Sequence, residues 1–386
     1  MRQIYLDYAA TTPTAPEVVK AMKPYYTEIF GNPSSLYSYG QEARRSVEES
    51  REGIASFIGA DISEIIFTSG GTESNNFALK GIAYANRGKG NHIITSQIEH
   101  HSITETCKHL EKDGFRITWL PVDSNGLVDP DNVKNSITDS TILISIMHGN
   151  NEIGTIQPIK EIASIAREGK IYIHTDTVQT FGHLPINIDE FGVDILSASA
   201  HKLYGPKGIG AMYLRKGTKI IPFLHGGDQE RKRRASTENL PGIIGFSKAV
   251  ELASHEMHEE GERLTMLRDK LIEGIIEKIE DTSLNGHPVN RLPNNINMTI
   301  SYVEGESMIL NLDMEGIACS TGSACTSSSL EASHVLLAIG LPPELAHGSL
   351  RFSLGRWTEE KDIDYLLEVM PGIVERLRSM SPLYTK

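Results

Sequence analysis

The stretch KIYIHTDTVQTFGHLPINIDEFGVDILSASAHK, residues 170–202, contains the pattern that decides the fold. Two apolar runs, 170–176 and 193–199, are separated by a segment that fits one helical crossover. Neither run alternates strictly between apolar and polar residues, which is typical of strands covered on both faces. The stretch therefore predicts two parallel strands with a ligand site beyond their carboxyl ends, where Asp176 and Lys202 lie.

Five further apolar runs of the same kind extend this sheet. They occupy residues 64–69, 92–96, 116–122, 141–147 and 210–215. The seven runs alternate with helical patterns, which predicts an α/β fold with a mostly parallel seven-stranded sheet and helices on both sides. We assign residues 15–260 to this large domain.

The rest of the chain predicts a smaller α+β domain, residues 261–386 together with residues 1–14. A long helical pattern at about 243–280 leads into it, because leucine and isoleucine recur there at three- and four-residue spacing. The stretch 285–295 is rich in Gly, Pro and Asn and is interpreted as a linker. The strands of the small domain are expected at 295–303 and 349–354.

Charge and hydropathy exclude several classes of function. The chain has 386 residues, of which 37 are basic and 50 are acidic, giving a formal net charge of −13. An acidic balance argues against DNA binding and against binding to anionic membranes. Residues 1–15 lack the apolar core of a signal peptide, and no stretch approaches the ~18 apolar residues of a spanning helix. We therefore expect a cytoplasmic protein that contacts neither DNA nor a membrane.

The cysteines and the one basic cluster are interpreted as follows. Cys107, Cys319 and Cys325 are too few for a disulfide framework and lack the spacing of a zinc site, so no metal is expected. The cluster ERKRR, residues 230–234, is interpreted as a solvated loop or a subunit contact.

A Gly-Gly turn follows the first apolar run. Residues 67–76 read FTSGGTESNN, with Gly70 and Gly71 ahead of a helical pattern and Thr72 at its start. Backbone N–H groups at a helix start suit a phosphate, and glycine lets the backbone approach a ligand closely. A tight turn capped by Thr72 explains the same residues, so the motif indicates a phosphate site only in combination with others.

Asp176 and Lys202 each have two interpretations. The Asp176 carboxylate caps a helix or pairs with a lysine, or else it keeps the nitrogen of a pyridine-type cofactor protonated. Lys202, with Ser199 and His201 beside it, is a surface amine or, when desolvated, a Schiff-base nucleophile. A phosphate cradle, an acid and a lysine at three strand ends together predict a site for pyridoxal 5'-phosphate.

Two other strand segments carry candidate residues. His100 follows the run 92–96 and is placed to stack on a ring or to carry protons, although His101 fits equally well on sequence alone. In GSLRFSLGR, residues 348–356, Arg351 alternates with apolar neighbours and so faces a polar side. Its guanidinium either grips a substrate carboxylate or forms a structural salt bridge.

Cys319 and Cys325 lie in GIACSTGSACTSSS, residues 316–329. From residue 320 to 329 every residue except Cys325 is Ser, Thr, Gly or Ala, which favours neither a rigid helix nor a rigid strand. Cys325 is therefore a candidate reactive thiol. Cys319 adjoins apolar residues and is interpreted as a small structural side chain.

These segments resemble, nearly end to end, the cysteine desulfurases of the NifS/IscS type. That family consists of pyridoxal phosphate enzymes of the class V aminotransferase superfamily, which have fold type I. The motifs that carry the resemblance are YLDYAATTP, FGNPSS, FTSGGTES, EHHSI, NNEIGTIQPI, DTVQ, SAHKLYGPKGIG, STGSACTS and LRFSLGR, in the order in which the family has them. The resemblance implies removal of sulfur from L-cysteine, with L-alanine as product and a persulfide left on the enzyme.

The resemblance also implies roles for individual residues. Lys202 would bond to the cofactor, Asp176 would pair with its pyridine nitrogen, and His100 would stack on the ring and move protons. Asn151 and Arg351 match the substrate-binding pair. Cys325 matches the catalytic thiol, and Cys319 matches no functional position. The remaining contacts to the cofactor phosphate and ring oxygen would come from Gly71, Thr72, Gln179, Ser199 and His201.

The family further implies a homodimer in which a threonine reaches the cofactor phosphate of the partner subunit. Thr237 is in register with it, but Ser236 replaces the glycine that precedes this threonine in the family. A serine makes a positive φ costly, so this contact is the most altered part of the pattern. The sulfur acceptor would be an iron–sulfur scaffold protein or another sulfur carrier.

Two other activities fit the same scaffold. A selenocysteine lyase or a class V aminotransferase would also keep Lys202 and Asp176. A transaminase, however, has no use for a thiol at position 325. The sequence therefore favours the desulfurase.

Overall fold

All seven predicted apolar runs contain strands of one sheet in the computed structural model, which describes residues 3–321, 332–382 and 384. Each of the seven strands of this sheet lies within its predicted run, whereas β1, β9 and β11, which belong to two smaller sheets, had no predicted run. The strands are β1 Ile4–Tyr5, β2 Ile65–Thr68, β3 His92–Ser96, β4 Arg116–Leu120, β5 Thr141–Ser145, β6 Tyr172–Asp176, β7 Ile195–Ser199, β8 Gly210–Leu214, β9 Thr282–Leu284, β10 Asn295–Ile300, β11 Ile317–Ala318 and β12 Ser349–Ser353.

The long helix predicted at 243–280 is confirmed, and it begins three residues earlier, where the Asn239 side chain accepts a hydrogen bond from the Gly242 N–H. No helix among the described residues is long and apolar enough to cross a membrane. The helices are α1 Pro16–Met22, α2 Pro24–Thr27, α3 Ser38–Ile58, α4 Gly71–Asn86, α5 His101–Lys112, α6 Pro130–Ser136, α7 Ile159–Glu168, α8 Ile188–Phe191, α9 Gln229–Lys232, α10 Leu240–Lys278, α11 Gly305–Met314, α12 His334–Ala338, α13 Pro343–Ala346 and α14 Glu360–Met380.

The order of strands in the large sheet is β2-β8-β7-β6-β5-β3-β4. Strand β8 is antiparallel to both of its neighbours, and every other pair in the sheet is parallel. Six strands therefore point the same way, which confirms the mostly parallel sheet. The carboxyl ends of β2, β3, β5, β6 and β7 all open at one edge, where a ligand site is expected.

Alternate residues of the central strands enter two different hydrophobic cores. Ile144 of β5 packs in a core with residues of α3, α7 and the first part of α10. Leu143, its neighbour in the same strand, packs in a core with residues of α4 and α5. Helices thus cover both faces of the sheet, which explains why its strands are apolar along their whole length.

A separate core lies in the C-terminal part of the chain. It joins the second half of α10 with β10, β12, α11 and α14, and it includes Ile4 and Leu6 from the N-terminal segment. The apolar residues of helix α10 between Leu240 and Ala253 pack in the core beneath the large sheet, and those from Leu264 onward pack in the C-terminal core. We propose that the boundary between the domains 15–260 and 261–386 falls inside this helix.

The interpretation of residues 285–295 as a linker is wrong. The stretch connects β9 to β10, which pair with each other in one sheet. Arg291 is buried and donates hydrogen bonds to the carbonyl oxygens of Asn295 and Ile153. Gly, Pro and Asn are common both in linkers between domains and in loops within a domain, and in this loop a buried arginine donates to the backbone carbonyls.

The interpretation of ERKRR as a solvated loop or subunit contact is incomplete, because its first residue is buried inside the subunit. The Glu230 carboxylate accepts hydrogen bonds from Arg51 Nη1 at 2.6 Å, Arg51 Nη2 at 2.9 Å and the Phe67 N–H at 2.9 Å. Glu230, Arg231 and Lys232 all have positive φ angles of 46–64°. A buried ion pair therefore anchors a strained loop to α3 and β2.

Replacing Glu230 by alanine should lower the free energy of unfolding by about 3–5 kcal/mol, because it leaves the buried Arg51 charge without its partner. Glu48→Ala is the matched control. Glu48 also pairs with Arg51, at 3.2 Å, but its side chain is 41% exposed, so a loss of about 1 kcal/mol or less is expected. Denaturant unfolding of both variants measures the difference, and equal losses would contradict the assigned role.

Candidate active site

One cavity of about 410 Å³ opens at the carboxyl edge of the large sheet. Residues predicted from sequence form much of its wall, and they come from segments far apart in the chain. The predicted residues that line it are Gly71, Thr72, His100, Asn151, Asp176, Gln179, Ser199, His201, Lys202 and Arg351.

Asp176 ends β6 and is held from two sides. Its Oδ1 accepts from the Val178 N–H at 2.9 Å, and its Oδ2 accepts from Asn75 Nδ2 at 2.6 Å. The side chain is buried, and the two donors stabilise its negative charge. The Asp176 carboxylate lines the cavity, which is the position that an acid facing a cofactor nitrogen would need.

Lys202 follows β7, the parallel neighbour of β6, in a short 3₁₀ turn. Its Nζ donates to the carbonyl oxygens of Ala9 at 2.5 Å and Ala10 at 2.7 Å. The Gln179 side chain also donates to Ala9, at 3.0 Å. The N-terminal segment thus aims the amine into the cavity, a contribution that sequence patterning did not reveal.

The Gly-Gly turn has the close backbone approach that a phosphate cradle needs. A Cβ atom on Gly71 would lie 2.6 Å from Val178 Cγ2, so no larger residue fits there. Gly71 and Thr72 begin the 16-residue helix α4, whose N-terminal N–H groups favour an anion. Burial lowers the pKa of His201 to about 4, so that its ring is neutral beside this site.

These features fit pyridoxal 5'-phosphate. An acid, an amine and an anion cradle line one cavity, and the acid and the amine lie at neighbouring strand ends. Among the described residues there is no group of three or more His, Cys, Asp or Glu side chains that could hold a metal ion.

His100 precedes α5 and caps it. Its Nδ1 accepts from the Ser102 N–H at 3.1 Å and lies 2.8 Å from Ser102 Oγ. Nδ1 is therefore an acceptor, and the neutral ring carries its proton on Nε2. Burial is the main cause that lowers the pKa of His100, and Asp176 opposes it. A neutral His100 thus keeps an N–H donor on Nε2.

His101 also lines the cavity, but it lies in different surroundings. Its ring centroid is 4.9 Å from that of His334, and His334 Nε2 donates to the Glu99 carbonyl at 2.9 Å. Burial is the main cause that lowers the pKa of both rings; the next largest effect on His100 comes from Asp176, and the next largest on His101 comes from His334. The structure therefore favours His100 as the histidine that faces the cofactor residues.

Arg351 forms a salt bridge, which is one of the two uses considered from sequence, and it also lies in the cavity wall. It is 2% exposed, its Nη2 pairs with Asp7 Oδ1 at 2.8 Å, and its Nη1 donates to the Asn151 carbonyl at 3.0 Å. The arginine is therefore part of a salt bridge and also lines the cavity. Asp7 was missed from sequence, because its partner lies at the other end of the chain.

Cys325 lies in the segment 322–331, outside the described residues. Both flanks of that segment attach to the cavity wall. Ser320 forms a backbone bridge with Arg351, and Ser333 Oγ donates to Glu152, which also lines the cavity. The chain thus leaves and rejoins the described structure beside the candidate site.

Cys319 differs from a reactive thiol. Burial raises its pKa to about 12, and the nearby Asp7 charge adds to this effect. It packs against the C-terminal core, so the interpretation as a small structural residue fits its surroundings.

Thr237 is exposed and lies outside the described lining of this cavity. Ser236, which replaces the family's glycine, has a φ of 105°. The backbone at this position therefore keeps the conformation that glycine adopts easily, at a cost in strain for serine.

Glu99 is a buried acid in the cavity wall that sequence analysis missed, although it directly precedes His100. It is 0% exposed, and its Oε1 accepts from Ser96 Oγ at 2.6 Å and from the Met147 N–H at 3.0 Å. Its Oε2 has no hydrogen-bond partner within the described part of the chain. Burial raises its pKa to about 8, so the folded protein holds it protonated at neutral pH.

Replacing Glu99 by glutamine should alter how stability depends on pH. The carboxyl pKa is higher in the folded than in the unfolded chain, so wild-type stability is lost as the pH rises from about 4.5 towards 8. Glutamine does not titrate, and we expect the variant to gain about 3 kcal/mol relative to wild type between about pH 5 and pH 8. Denaturant unfolding at both pH values tests this, with the exposed Glu105→Gln as control. Parallel curves for wild type and Glu99→Gln would refute it.

Comparison with known proteins gives a consistent result. A profile of the aminotransferase class-V family matches residues 4–366. The curated relative Cysteine desulfurase IscS from Dictyoglomus turgidum is 61% identical over 381 residues, which are 99% of this chain and 97% of that relative.

Two solved structures extend the comparison to the fold. A NifS-like protein has a TM-score of 0.92 at 36% identity, with 97% of this chain and 100% of the other covered. The structure of SspA in complex with cysteine has a TM-score of 0.82 at 40% identity, with 91% of this chain and 99% of the other covered. The fold is that of type I pyridoxal phosphate enzymes, as expected from the sequence. Since the profile covers most of the chain and the relatives match nearly end to end, this protein belongs to the class V aminotransferase family.

Proposed function

We propose that the protein is a pyridoxal phosphate-dependent cysteine desulfurase, which converts L-cysteine to L-alanine and leaves the sulfur as a persulfide on Cys325. The observation that carries this proposal is a convergence on one cavity. Asp176 and Lys202 lie in its wall at neighbouring strand ends, and the flanks of the segment that contains Cys325 attach to the same wall. The similarity to the IscS of D. turgidum, which is named a cysteine desulfurase, supports it.

Residues of this chain that line the cavity would hold the cofactor. Lys202 would supply the amine that bonds to it, Asp176 would pair with its ring nitrogen, and His100 would stack on its ring. Its phosphate would be bound by Gly71, Thr72, Ser199 and His201, and its ring oxygen would be contacted by Gln179. When bound, the cofactor supplies an electron sink that weakens bonds in the substrate.

Arg351 and Asn151 would bind the substrate. The guanidinium is fixed by Asp7 and by the Asn151 carbonyl, so it does not need to be ordered when a carboxylate arrives. The SspA structure contains cysteine, which supports the same ligand for this chain. Because the guanidinium is planar, it suits a carboxylate held by two hydrogen bonds.

Cys325 would take the sulfur. It lies five residues after Ser320, so covalent geometry allows it to lie up to about 17 Å from that anchor on the cavity wall. Its thiolate attacks the substrate sulfur, an S–S bond forms, and the C–S bond breaks with its electron pair left on carbon. A proton then reaches this carbon and gives alanine. A thiol titrates near ~8.5, so nearby groups must help to ionise it.

His100 would serve as a donor rather than as an acceptor in the resting site. Its Nδ1 is already occupied by the Ser102 N–H, so a proton can be added there only if that bond breaks. The Nε2–H is left to hydrogen-bond and to stabilise negative charge in the cavity. This refines the role of proton carrier that the sequence suggested for His100.

Product analysis separates the proposed activity from its alternatives. Holoenzyme incubated with L-cysteine should release alanine and sulfide in equal amounts when a reducing thiol is present. An aminotransferase would instead form a 2-oxo acid and require an acceptor oxo acid. A selenocysteine lyase would act on selenocysteine and leave cysteine unchanged. Absence of alanine from cysteine would exclude the proposal.

We further propose that the protein is a homodimer. A homodimer is supported by the exposure of Thr237 outside its own cavity and by a set of exposed apolar side chains near the N-terminus. These are Val19, Tyr26, Phe30, Leu36, Tyr37 and Tyr39. Sedimentation should give the mass of two subunits, and Leu36→Asp, at the most exposed of these side chains, should shift the protein towards a monomer.

The sulfur would pass to an iron–sulfur scaffold protein or to another sulfur carrier in the cytoplasm. A reducing compartment suits a persulfide intermediate and the free thiols of Cys107 and Cys319. Transfer of radiolabelled sulfur from the loaded enzyme to a candidate acceptor would identify it.

A further inference from the structure

Asn75 connects two residues of the cavity wall, Asp176 and His100. Its Nδ2 donates to Asp176 Oδ2 at 2.6 Å and to Ser102 Oγ at 2.8 Å. Ser102 Oγ lies 2.8 Å from His100 Nδ1. Because the hydroxyl oxygen accepts from the amide, its proton is free to point at Nδ1. One amide group therefore contacts the acid directly and the histidine through a hydroxyl.

The orientation of the Asn75 amide is fixed by its two N–H bonds. Asn75 is 1% exposed, and its Oδ1 has no hydrogen-bond partner within the described residues. A flipped amide would place Oδ1 against the Asp176 carboxylate, where two acceptors would face each other. An unpaired buried oxygen costs stability, so packing alone would be served better by an apolar residue. The hydrogen bonds that the Asn75 amide makes among the described residues therefore come from its N–H groups, which contact Asp176 and Ser102.

We propose that Asn75 is a positioning residue of the cofactor site, which holds the Asp176 carboxylate in place and couples it to His100 through Ser102. This inference rests on the proposed function for the roles of Asp176 and His100. An N–H donated to a carboxylate favours its charged form, which is the form that can pair with a protonated ring nitrogen.

The charged and titratable groups around this contact come from four elements. Asp176 ends β6, Lys202 follows β7, and Glu99 and His100 precede α5, while Asn75 itself lies on α4. Of these groups, Glu99 and His100 interact electrostatically with Asp176. Each of them remains in place in the variants below.

Asn75→Asp is the most informative variant, because it replaces the amide by a carboxyl group of the same shape. Lowering the pH to about 6 favours the protonated form of the introduced carboxyl group, which can donate to Asp176 as the amide does. Raising the pH to about 9 favours the ionised form of the introduced group, which Asp176 repels. Retention of pyridoxal 5'-phosphate by the holoenzyme, measured by equilibrium dialysis without substrate, should be within about threefold of wild type at the lower pH. At the higher pH it should be roughly ten- to a hundredfold weaker.

Asn76→Asp is the matched control, since it adds the same charge one residue along α4, at a half-buried position where the side chain donates to the Thr72 carbonyl and not to Asp176. It should retain the cofactor like wild type at both pH values. Asn75→Ala should retain the cofactor more weakly than wild type at both pH values, because alanine cannot donate to Asp176 at either. If Asn75→Asp retains the cofactor like wild type throughout, or is equally weak at both pH values, the inference is overturned.

Ser102→Ala tests the histidine arm, and it does so even if Asn75→Asp fails to fold. It relieves His100 Nδ1 of one donor, so the pKa of His100, followed by NMR of the holoenzyme, should rise by about one unit. Cofactor retention should stay within about threefold of wild type, because the Asn75–Asp176 contact is intact. An unchanged pKa of His100 would overturn the coupling. No substrate is present in either measurement, so a failure of the proposed activity is recognised separately.

Discussion

Replacing Lys202 by alanine is expected to lower alanine formation from L-cysteine by at least about a thousandfold. Lys202 is the only lysine in the described lining of the cavity, and its amine is held there by the Ala9 and Ala10 carbonyls. The variant loses this amine. It should also lose the visible absorption band of the bonded cofactor, while its unfolding transition stays cooperative. Steady-state assays and absorption spectra of the purified variant measure both effects.

Lys207→Ala is the control for this variant. Lys207 is exposed, and its Nζ also donates to a carbonyl of the N-terminal segment, that of Thr12 at 2.7 Å. Its loss removes a lysine and a comparable hydrogen bond without touching the cavity, so activity should stay within about twofold of wild type. A Lys202→Ala protein that remains yellow and active would show that another amine bonds to the cofactor.

Replacing Cys325 by serine is expected to lower sulfide release by at least about a hundredfold, because a serine hydroxyl is not ionised and cannot accept sulfur. The cofactor band should be unchanged, since the residues that hold the cofactor are intact. Addition of L-cysteine should still alter this band, which separates substrate binding from sulfur transfer.

Cys319→Ser provides the comparison within the same chain. Burial raises the pKa of Cys319 to about 12, so it is not a thiolate at neutral pH. We expect this variant to keep activity within about twofold of wild type and to show a modest loss of stability. If Cys319→Ser loses sulfide release, or if Cys325→Ser keeps it, then Cys325 is not the thiol that takes the sulfur.

The main sheet could be predicted from sequence because its strands are buried on both faces. Such strands are apolar along their whole length, so they can be recognised in the sequence without knowing which strands lie beside them. The polar residues at their ends, Asp176 and Lys202, could be assigned to one site because parallel strands end at a common edge. The reversal of β8 could not be predicted, since an apolar run has no direction.

The parts that were missed depend on contacts between distant segments. Asn75 and Asp7 are ordinary polar residues in the sequence, and only folding brings them to Asp176 and Arg351. Residues 285–295 were interpreted as a linker because Gly, Pro and Asn are typical of loops. The sequence does not show that Arg291 in this loop is buried and donates to the Asn295 and Ile153 carbonyls. Glu99 had a usable signal, a carboxyl group beside His100 at the end of a buried strand.

The most direct test of the account is the mass of the protein after one turnover. Holoenzyme mixed with one equivalent of L-cysteine, without reductant, should gain the mass of one sulfur atom per subunit and release one alanine. Cys319 and Cys325 fall on one proteolytic peptide, so fragmentation of that peptide in the mass spectrometer is needed, and it should place the sulfur on Cys325. Alanine without added sulfur, or sulfur on Cys319, would contradict the account.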